Sequence, residues 1–370
     1  MRALRAAVRS DPELSARFDT LVGTEFSRTR RALDDVLMER LLDPLILLTE
    51  AYEFDGDKFD DLYKELEPAL FAARVKWVDF VPVNGVVLAQ GVVVELAPGL
   101  ILRELSDAEI GAALRVIGIP VERLDTPTSV TVSRFNQVGL TFEHDHPFVA
   151  ERDLPKQTAP VVVQAIEEPA ARLITALRVV CGGSTAATRR LRMLHLDEVE
   201  ASGSAEAHLT PLGTLDPERP VVLLANDIAE LRHVFDFLAQ PLPGPLQVAL
   251  RRLNYAGTRT QAEDRLIDLI ICAEALFIHH FGITTHQQSA VIADGAEQLL
   301  GGDSVLQVGP GDVNRFMRAA YRRRNSEVHG DVEPAPLLDL HGKPQTELMR
   351  VVDDLDRVMR RACRLVLEGS

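Results

Sequence analysis

Ala262-Glu263-Asp264-Arg265-Leu266-Ile267-Asp268-Leu269-Ile270-Ile271-Cys272-Ala273-Glu274-Ala275-Leu276-Phe277 is the most regular stretch of this chain. Ala262, Leu266, Leu269, Ile270, Ala273, Leu276 and Phe277 fall on one stripe at helical spacing, the mark of a helix with one buried face. The spacing predicts a helix over 260–281. Outward from it, the chain keeps a helical period from Asn226 onward, punctuated by Gln240-Pro241-Leu242-Pro243-Gly244-Pro245. Helices are expected over 227–239, 245–256, 260–281, 286–300, 311–328 and 344–367. The last carries Leu348, Val351, Val352, Leu355, Met359, Ala362 and Val366 on one face. Helices of this length joined by short loops pack as an antiparallel bundle.

Upstream the pattern changes. Val75 to Val83 and Val86 to Leu96 are rich in Val and separated by Asn84-Gly85, a hairpin signal, with Pro82 hinting at an edge. Ile101 to Leu105 continues as a strand. Ser106 and Glu109 form a capping-box pattern that opens a helix to about Val116. Ser129 to Phe135 alternates as a strand does, and Glu168 to Val180, Leu191 to Leu196, Ala207 to Leu212 and Pro220 to Leu224 are weaker strand candidates. The first seventy residues are read as helix, with Phe18, Leu21, Val22, Phe26, Leu33, Val36, Leu37 and Leu41 in period. Asp55-Gly56-Asp57 is read as a plain turn before a short helix carrying Phe59, Leu62, Leu66 and Leu70. The fold class is therefore α+β, in three parts: an N-terminal helical segment over 1–72, a mixed α/β sensing or regulatory domain over 73–222, and an all-α helical domain over 223–370.

Composition narrows the functional classes. The 370 residues are 46% hydrophobic and 26% charged, an ordinary globular balance. No apolar run approaches the length that spans a bilayer, and the basic start lacks a signal-peptide core, so no membrane association and a cytoplasmic location are expected. Cys181, Cys272 and Cys363 are too few and too scattered for a disulfide framework. The net charge of -15 argues against nucleic-acid binding over the whole surface, though not against a local basic site. Lys occurs only at positions 58, 64, 76, 156 and 343, and the rest of the 40 basic residues are Arg.

The chemistry-bearing stretch is Tyr321-Arg322-Arg323-Arg324-Asn325-Ser326-Glu327-Val328-His329-Gly330. Arg324 and His329 form an Arg-x4-His pair. Cleaving RNA without a metal needs a base for the 2′-hydroxyl, an acid for the 5′-oxygen and a cation for the phosphorane charge. His serves as base or acid near neutral pH, and the planar Arg fork holds phosphate. Ten His in an Arg-rich chain give about one such pair by chance, and Arg190 with His195 is a second, read as a decoy. Context separates them. Met317, Tyr321, Arg324 and Val328 share one helix face, so Arg324 is expected on an apolar side, where a charge needs a partner or a task. Gly330 is the expected C-cap, and a helix C-terminus favours a protonated imidazole. Arg315, Arg318, Arg322 and Arg323 make a local basic patch, with no acid between Val313 and Ser326, that could track an RNA backbone.

Asp264 to Phe277, followed about fifty residues later by Tyr321, Arg324-Asn325 and His329-Gly330, resembles an ApeA-like HEPN domain. Val94 to Glu109 is similar to the region that precedes such domains. The resemblance implies a helical bundle that dimerises, with two motifs facing one composite cleft. Its catalytic residues map onto Arg324, Asn325 and His329. It implies a metal-independent endoribonuclease without a cofactor, of the kind found in toxin and anti-phage systems, with RNA as partner and a phage-derived trigger or regulatory protein controlling it. Glu274 is the expected internal partner of Arg324, with Asp268 in reserve and Tyr321 in support. One departure stands out: an Arg is expected in the intervening helix, and Gln287 to Asp294 has none.

Other clusters are weaker. Glu143-His144-Asp145-His146 resembles half a metal site, but no CxxC or HExxH accompanies it, so a polar loop and no bound metal are expected. His279, His280 and His286 are expected to be exposed. Cys181-Gly182-Gly183-Ser184-Thr185 lacks the Lys of a phosphate-binding loop. The competing readings are a non-catalytic dimerisation or ligand-binding scaffold, and a nucleotide-binding partner of a toxin–antitoxin pair.

Overall fold

The computed structural model describes residues 10–13, 55–71, 74–89, 91–106, 109, 138–147, 158–187, 189–196, 199–208, 219–279, 287–330 and 335–369. The chain is α+β. It divides into two compact units that are both discontinuous in sequence. One takes the described residues within Met1–Pro82, Ala97–Pro169 and Thr188–Leu209, the other those within Val83–Leu96, Ala170–Ala187 and Thr210–Ser370. This differs from three consecutive blocks ending at 72, 222 and 370. No helix among the described residues is long and apolar enough to cross a membrane.

The first unit contains helix α1 (Gly56–Phe71). The expected turn at Asp55 is its N-terminus, where Asp55 Oδ1 accepts the Lys58 N–H at 3.1 Å. The apolar periodicity from Phe18 to Leu41 lies outside the described residues. Five antiparallel strands follow in spatial order β4-β5-β1-β7-β8: β1 (Arg74–Asn84), β4 (Leu100–Glu104), β5 (Val138–Pro147), β7 (Arg189–Leu196) and β8 (Val199–His208). β1 lies at the centre rather than at an edge, with β5 and β7 on its two sides. Pro82 falls beyond the β7 register, which ends at Phe80, so its missing N–H interrupts no bond on that side.

After β4 the capping box is present. Ser106 N–H donates to Glu109 Oε2 at 2.7 Å and Glu109 N–H to Ser106 Oγ at 3.3 Å. The rest of that helix, and the strand expected over 129–135, lie outside the described residues. Glu109 also accepts both guanidinium arms of Arg103, each at 2.8 Å. Burial alone would raise the Glu109 pKa, but the Arg103 and Ser106 bonds outweigh it and hold the carboxyl below its ordinary range. A depressed folded value stabilises above the unfolded value and is lost as pH falls through the folded one. Glu109→Ala is therefore expected to cost about 2 kcal/mol at pH 7. Thermal unfolding should show the gap from wild type narrowing as pH falls below the ordinary glutamate range; a gap independent of pH would contradict this account.

The second unit holds the short strands β2 (Val86–Leu88), β3 (Val94–Ala97), β6 (Ala186–Ala187) and β9 (Val221–Leu223). Val86 to Leu96 is thus two strands, with Gly91 at φ 74° between them. Asn84-Gly85 does not close a hairpin. Gly85 turns at φ 77°, and β2 pairs in parallel with β9. A second correction concerns Glu168 to Val180, which is not a strand but the last half of helix α2 (Thr158–Val180). Leu173, Ile174, Ala176, Leu177, Arg178, Val179 and Val180 are all buried, so the broad buried face leaves only a narrow polar stripe, Glu168, Arg172 and Thr175, to mark the helical period.

Six helices follow where the periodicity places them: α3 (Ile228–Phe237), α4 (Gly244–Thr258), α5 (Ala262–Glu274), α6 (Gln288–Leu300), α7 (Asp312–His329) and α8 (Leu348–Gly369). Proline at the first turn of α4 and acids in the first turn of α5 suit helix starts. α5 passes into a π-helical turn, Ala275–His279, where the sequence predicts a continuous helix to 281. The core is apolar: Leu266, Leu269, Ile270, Phe277, Phe316, Met317, Leu355 and Met359 are each 1% exposed or less. Each such side chain contributes about 1.5–3 kcal/mol relative to exposure.

The three cysteines are free, in keeping with their scatter along the sequence. Cys272 and Cys363 are fully buried with their sulfurs 4.0 Å apart. Burial, with Asp227 adding to it, pushes the Cys181 thiol up to about 12. All three should resist iodoacetamide at pH 7.5 in the folded protein and react in denaturant, since the thiolate is the nucleophile. Rapid native labelling of Cys272 or Cys363, read by mass spectrometry, would contradict the packing.

Candidate functional site

The motif occupies the last two turns of α7. Asp312 opens the helix, accepting the Gly309 N–H at 2.8 Å. Glu297 of α6 caps the same end, accepting the N–H groups of Gly311 at 2.6 Å and Asn314 at 3.0 Å. At the other end Gly330 takes the left-handed conformation, φ 68° and ψ 41°, and its N–H bonds to the Ser326 carbonyl. The predicted glycine cap is therefore present, and the helix stops with His329 as its last residue.

Met317 and Tyr321 are buried, as the face reading predicts, and Arg324 is half-buried. Val328, placed on the same apolar face, is 51% exposed. Arg324 Nη1 donates to Asn325 Oδ1 at 3.1 Å. Its Nε is buried without a hydrogen-bond partner. Neither expected acid pairs with it. Asp268 is buried and salt-bridged to Arg252 at 2.9 Å and Arg259 at 3.1 Å. Glu274 lies beside the Tyr321 hydroxyl: burial, then the Glu274 charge, raise the Tyr321 pKa, and Arg324 opposes them. Among the described residues no carboxylate forms an ion pair with Arg324. His329 is exposed. Five residues on, it is turned about 140° from Arg324 around the helix axis.

Gln288 is the contributor that the sequence reading missed. The Tyr321 hydroxyl donates to Gln288 Oε1 at 2.9 Å. Gln288 begins the helix where an Arg was expected, so the departure from the pattern marked the position without revealing its partner. Asp294, in the same helix, accepts from Asn314 at 2.6 Å and Arg318 at 3.1 Å.

The basic patch is largely tied down. Arg315 bonds Asp312, and Arg318 also donates to Asn314 at 2.9 Å. Arg323 reaches Glu327 at 2.5 Å and the Ala335 carbonyl at 3.2 Å. Arg322 is exposed and forms no ion pair among the described residues. The acids that hold the others come from outside 313–326 or from another helix, which a count within the segment does not register.

The remaining clusters settle by backbone. Residues 143–146 lie in β5, opposite 75–78 of β1, and not in a polar loop. Arg190 and His195 lie in β7, where His195 faces Lys76 in register, so that pair has none of the helical context of Arg324 and His329. His279 is exposed as expected, while His280 and His286 lie outside the described residues. Thr185, after the two glycines, is buried and donates to the Asn84 carbonyl at 3.0 Å. No protein-family model, curated protein or solved structure matches this chain.

Proposed function

We propose that the chain is a metal-independent endoribonuclease of the HEPN type, acting on RNA as a homodimer. The observation that carries this reading is Arg324: a half-buried guanidinium with a buried, unpartnered Nε and no acid paired with it among the described residues. Such a group is costly unless it has a task, and an RNA phosphate supplies the missing acceptor. Arg324 holds the scissile phosphate, and Asn325, bonded to it, fixes its fork. His329 transfers protons at the exposed helix end. The 2′-oxygen loses its proton and attacks phosphorus, the bond to the 5′-oxygen breaks, and that oxygen takes up a proton. The products are a 2′,3′-cyclic phosphate and a 5′-hydroxyl.

The turn between Arg324 and His329 around the axis supports a composite site, in which a second copy brings its own pair to the same cleft. The exposed Val328 between them suits a covered dimer face. Arg322 remains for the RNA backbone. Control by a phage-derived trigger or regulatory protein, and a role as toxin or anti-phage effector, rest on the resemblance of the motif. The test uses the full chain and total RNA in EDTA. Fragments with cyclic phosphate ends, absent with Arg324→Ala, are expected. Intact RNA at all protein concentrations, with and without lysate of phage-infected cells, would favour a scaffold instead.

A further inference from the structure

A second group of arginines, remote in sequence from the motif, lies inside the same unit. Arg178 of α2 is 1% exposed and Arg265 of α5 is fully buried. The Arg178 guanidinium rests against α4 at Gly257, where an added Cβ would sit 1.5 Å from Cζ. Arg265 Nη1 donates to Asp353 at 3.1 Å, and Arg219 Nη2 reaches the same carboxylate at 3.5 Å. Arg360 donates to Asp356 at 3.1 Å and to the Val180 carbonyl at 3.2 Å. These groups sense one another. Burial lowers the Arg178 pKa to about 10, Asp356 opposes this, and Arg219, Arg265 and Arg360 add to it. Arg178 is still charged at neutral pH.

Four guanidiniums thus face two carboxylates, leaving two positive charges in excess. Nε and Nη1 of Arg178, Nε and Nη2 of Arg265, and Nη1 of Arg219 are buried without hydrogen-bond partners. Buried cations without partners are strongly unfavourable. A phosphate group carries nearly two negative charges at pH 7 and three acceptor oxygens, which matches both the excess charge and the donors. Asp353, half-exposed, and Arg219, 22% exposed, mark the side open to solvent.

We propose that Arg178, Arg219, Arg265 and Arg360 form a binding site for a phosphate dianion, either free phosphate or the terminal phosphate of a mononucleotide. The site is separate from the end of α7 and does not rest on the nuclease reading. The test is titration calorimetry of the full chain with inorganic phosphate and, in a second arm, with AMP. Saturable binding of at least one probe, with Kd below about 1 mM, is expected. Tighter binding of AMP assigns a nucleotide, and binding of phosphate alone assigns the free ion. Arg219→Gln should weaken binding at least about tenfold, and Asp353→Asn should tighten it several-fold. Asp353 is the ion-pair partner of the buried Arg265, so the thermal unfolding midpoint of each variant is compared with wild type, which keeps a loss of fold from being read as a loss of binding. Arg324→Ala should bind as wild type does, which separates this site from the nuclease motif. No saturable binding up to about 10 mM, or affinity unchanged in both Arg219→Gln and Asp353→Asn, would overturn the proposal.

Discussion

His329→Ala is expected to lower RNA cleavage by about 100-fold or more while leaving stability within about 0.5 kcal/mol of wild type. The two halves of this expectation have separate causes. His329 is exposed at the last position of α7, and the helix stop is supplied by Gly330, so removing the imidazole disturbs no packing. The loss is therefore chemical: without the imidazole no group at the helix end takes or delivers the proton. Arg324→Ala should cost about 100- to 1000-fold, since a phosphate-holding donor acts on developing charge. Arg324→Lys should recover little, because an ammonium cannot reproduce the planar fork. Cleavage by His329→Ala at the wild-type rate would remove this residue from the mechanism. A collapse in stability with lost cleavage would make His329 structural.

The largest effect on folding is expected at Gly257. In most exposed helices Gly→Ala stabilises by about 1 kcal/mol. Here the sign reverses. The new methyl would occupy the position of the Arg178 guanidinium, with Cζ at 1.5 Å and both Nη atoms within 2 Å. Arg178 is 1% exposed and cannot swing into water. Gly257→Ala should thus cost about 3 kcal/mol or more, through overpacking and a displaced buried charge. Arg178→Ala in the same chain should recover part of that loss, because the clash then has no second party. Denaturant unfolding of the four proteins gives the coupling. Wild-type stability for Gly257→Ala alone would show that α2 and α4 do not pack as described.

The helical half was legible because its amphipathic helices keep one polar side. Leu266, Leu269 and Ile270 of α5, and Val351, Val352 and Leu355 of α8, are buried where a 3.6-residue period puts them. The same logic failed for α2, whose broad buried face leaves only the narrow stripe of Glu168, Arg172 and Thr175 to read. It also failed at Asn84-Gly85, where the local signal suits a hairpin but β2 finds its partner in β9, more than 130 residues later. The π turn after Glu274 has no local signature in Ala275-Leu276-Phe277. At the candidate site, the helix stop and the half-buried Arg324 followed from spacing alone. The partners did not. Asp268 was drawn to Arg252 and Arg259, and Tyr321 to Gln288, because side chains pair by distance in space and not by position along one helix.

The helical unit borrows two early stretches of the chain, 83–96 and 170–187, to complete itself. Gly257 of α4 rests on a side chain from the second of them. During synthesis those early segments must wait for β9 and α4 to emerge before they can dock, and α8 emerges later still, so a truncated translation product holds no finished copy of the unit. Proteolysis between 187 and 219 would likewise not release it as a separate piece, since the excised helices would leave part of their core behind. For a protein read as harmful to its own cell, this interleaving ties competence to possession of the intact polypeptide.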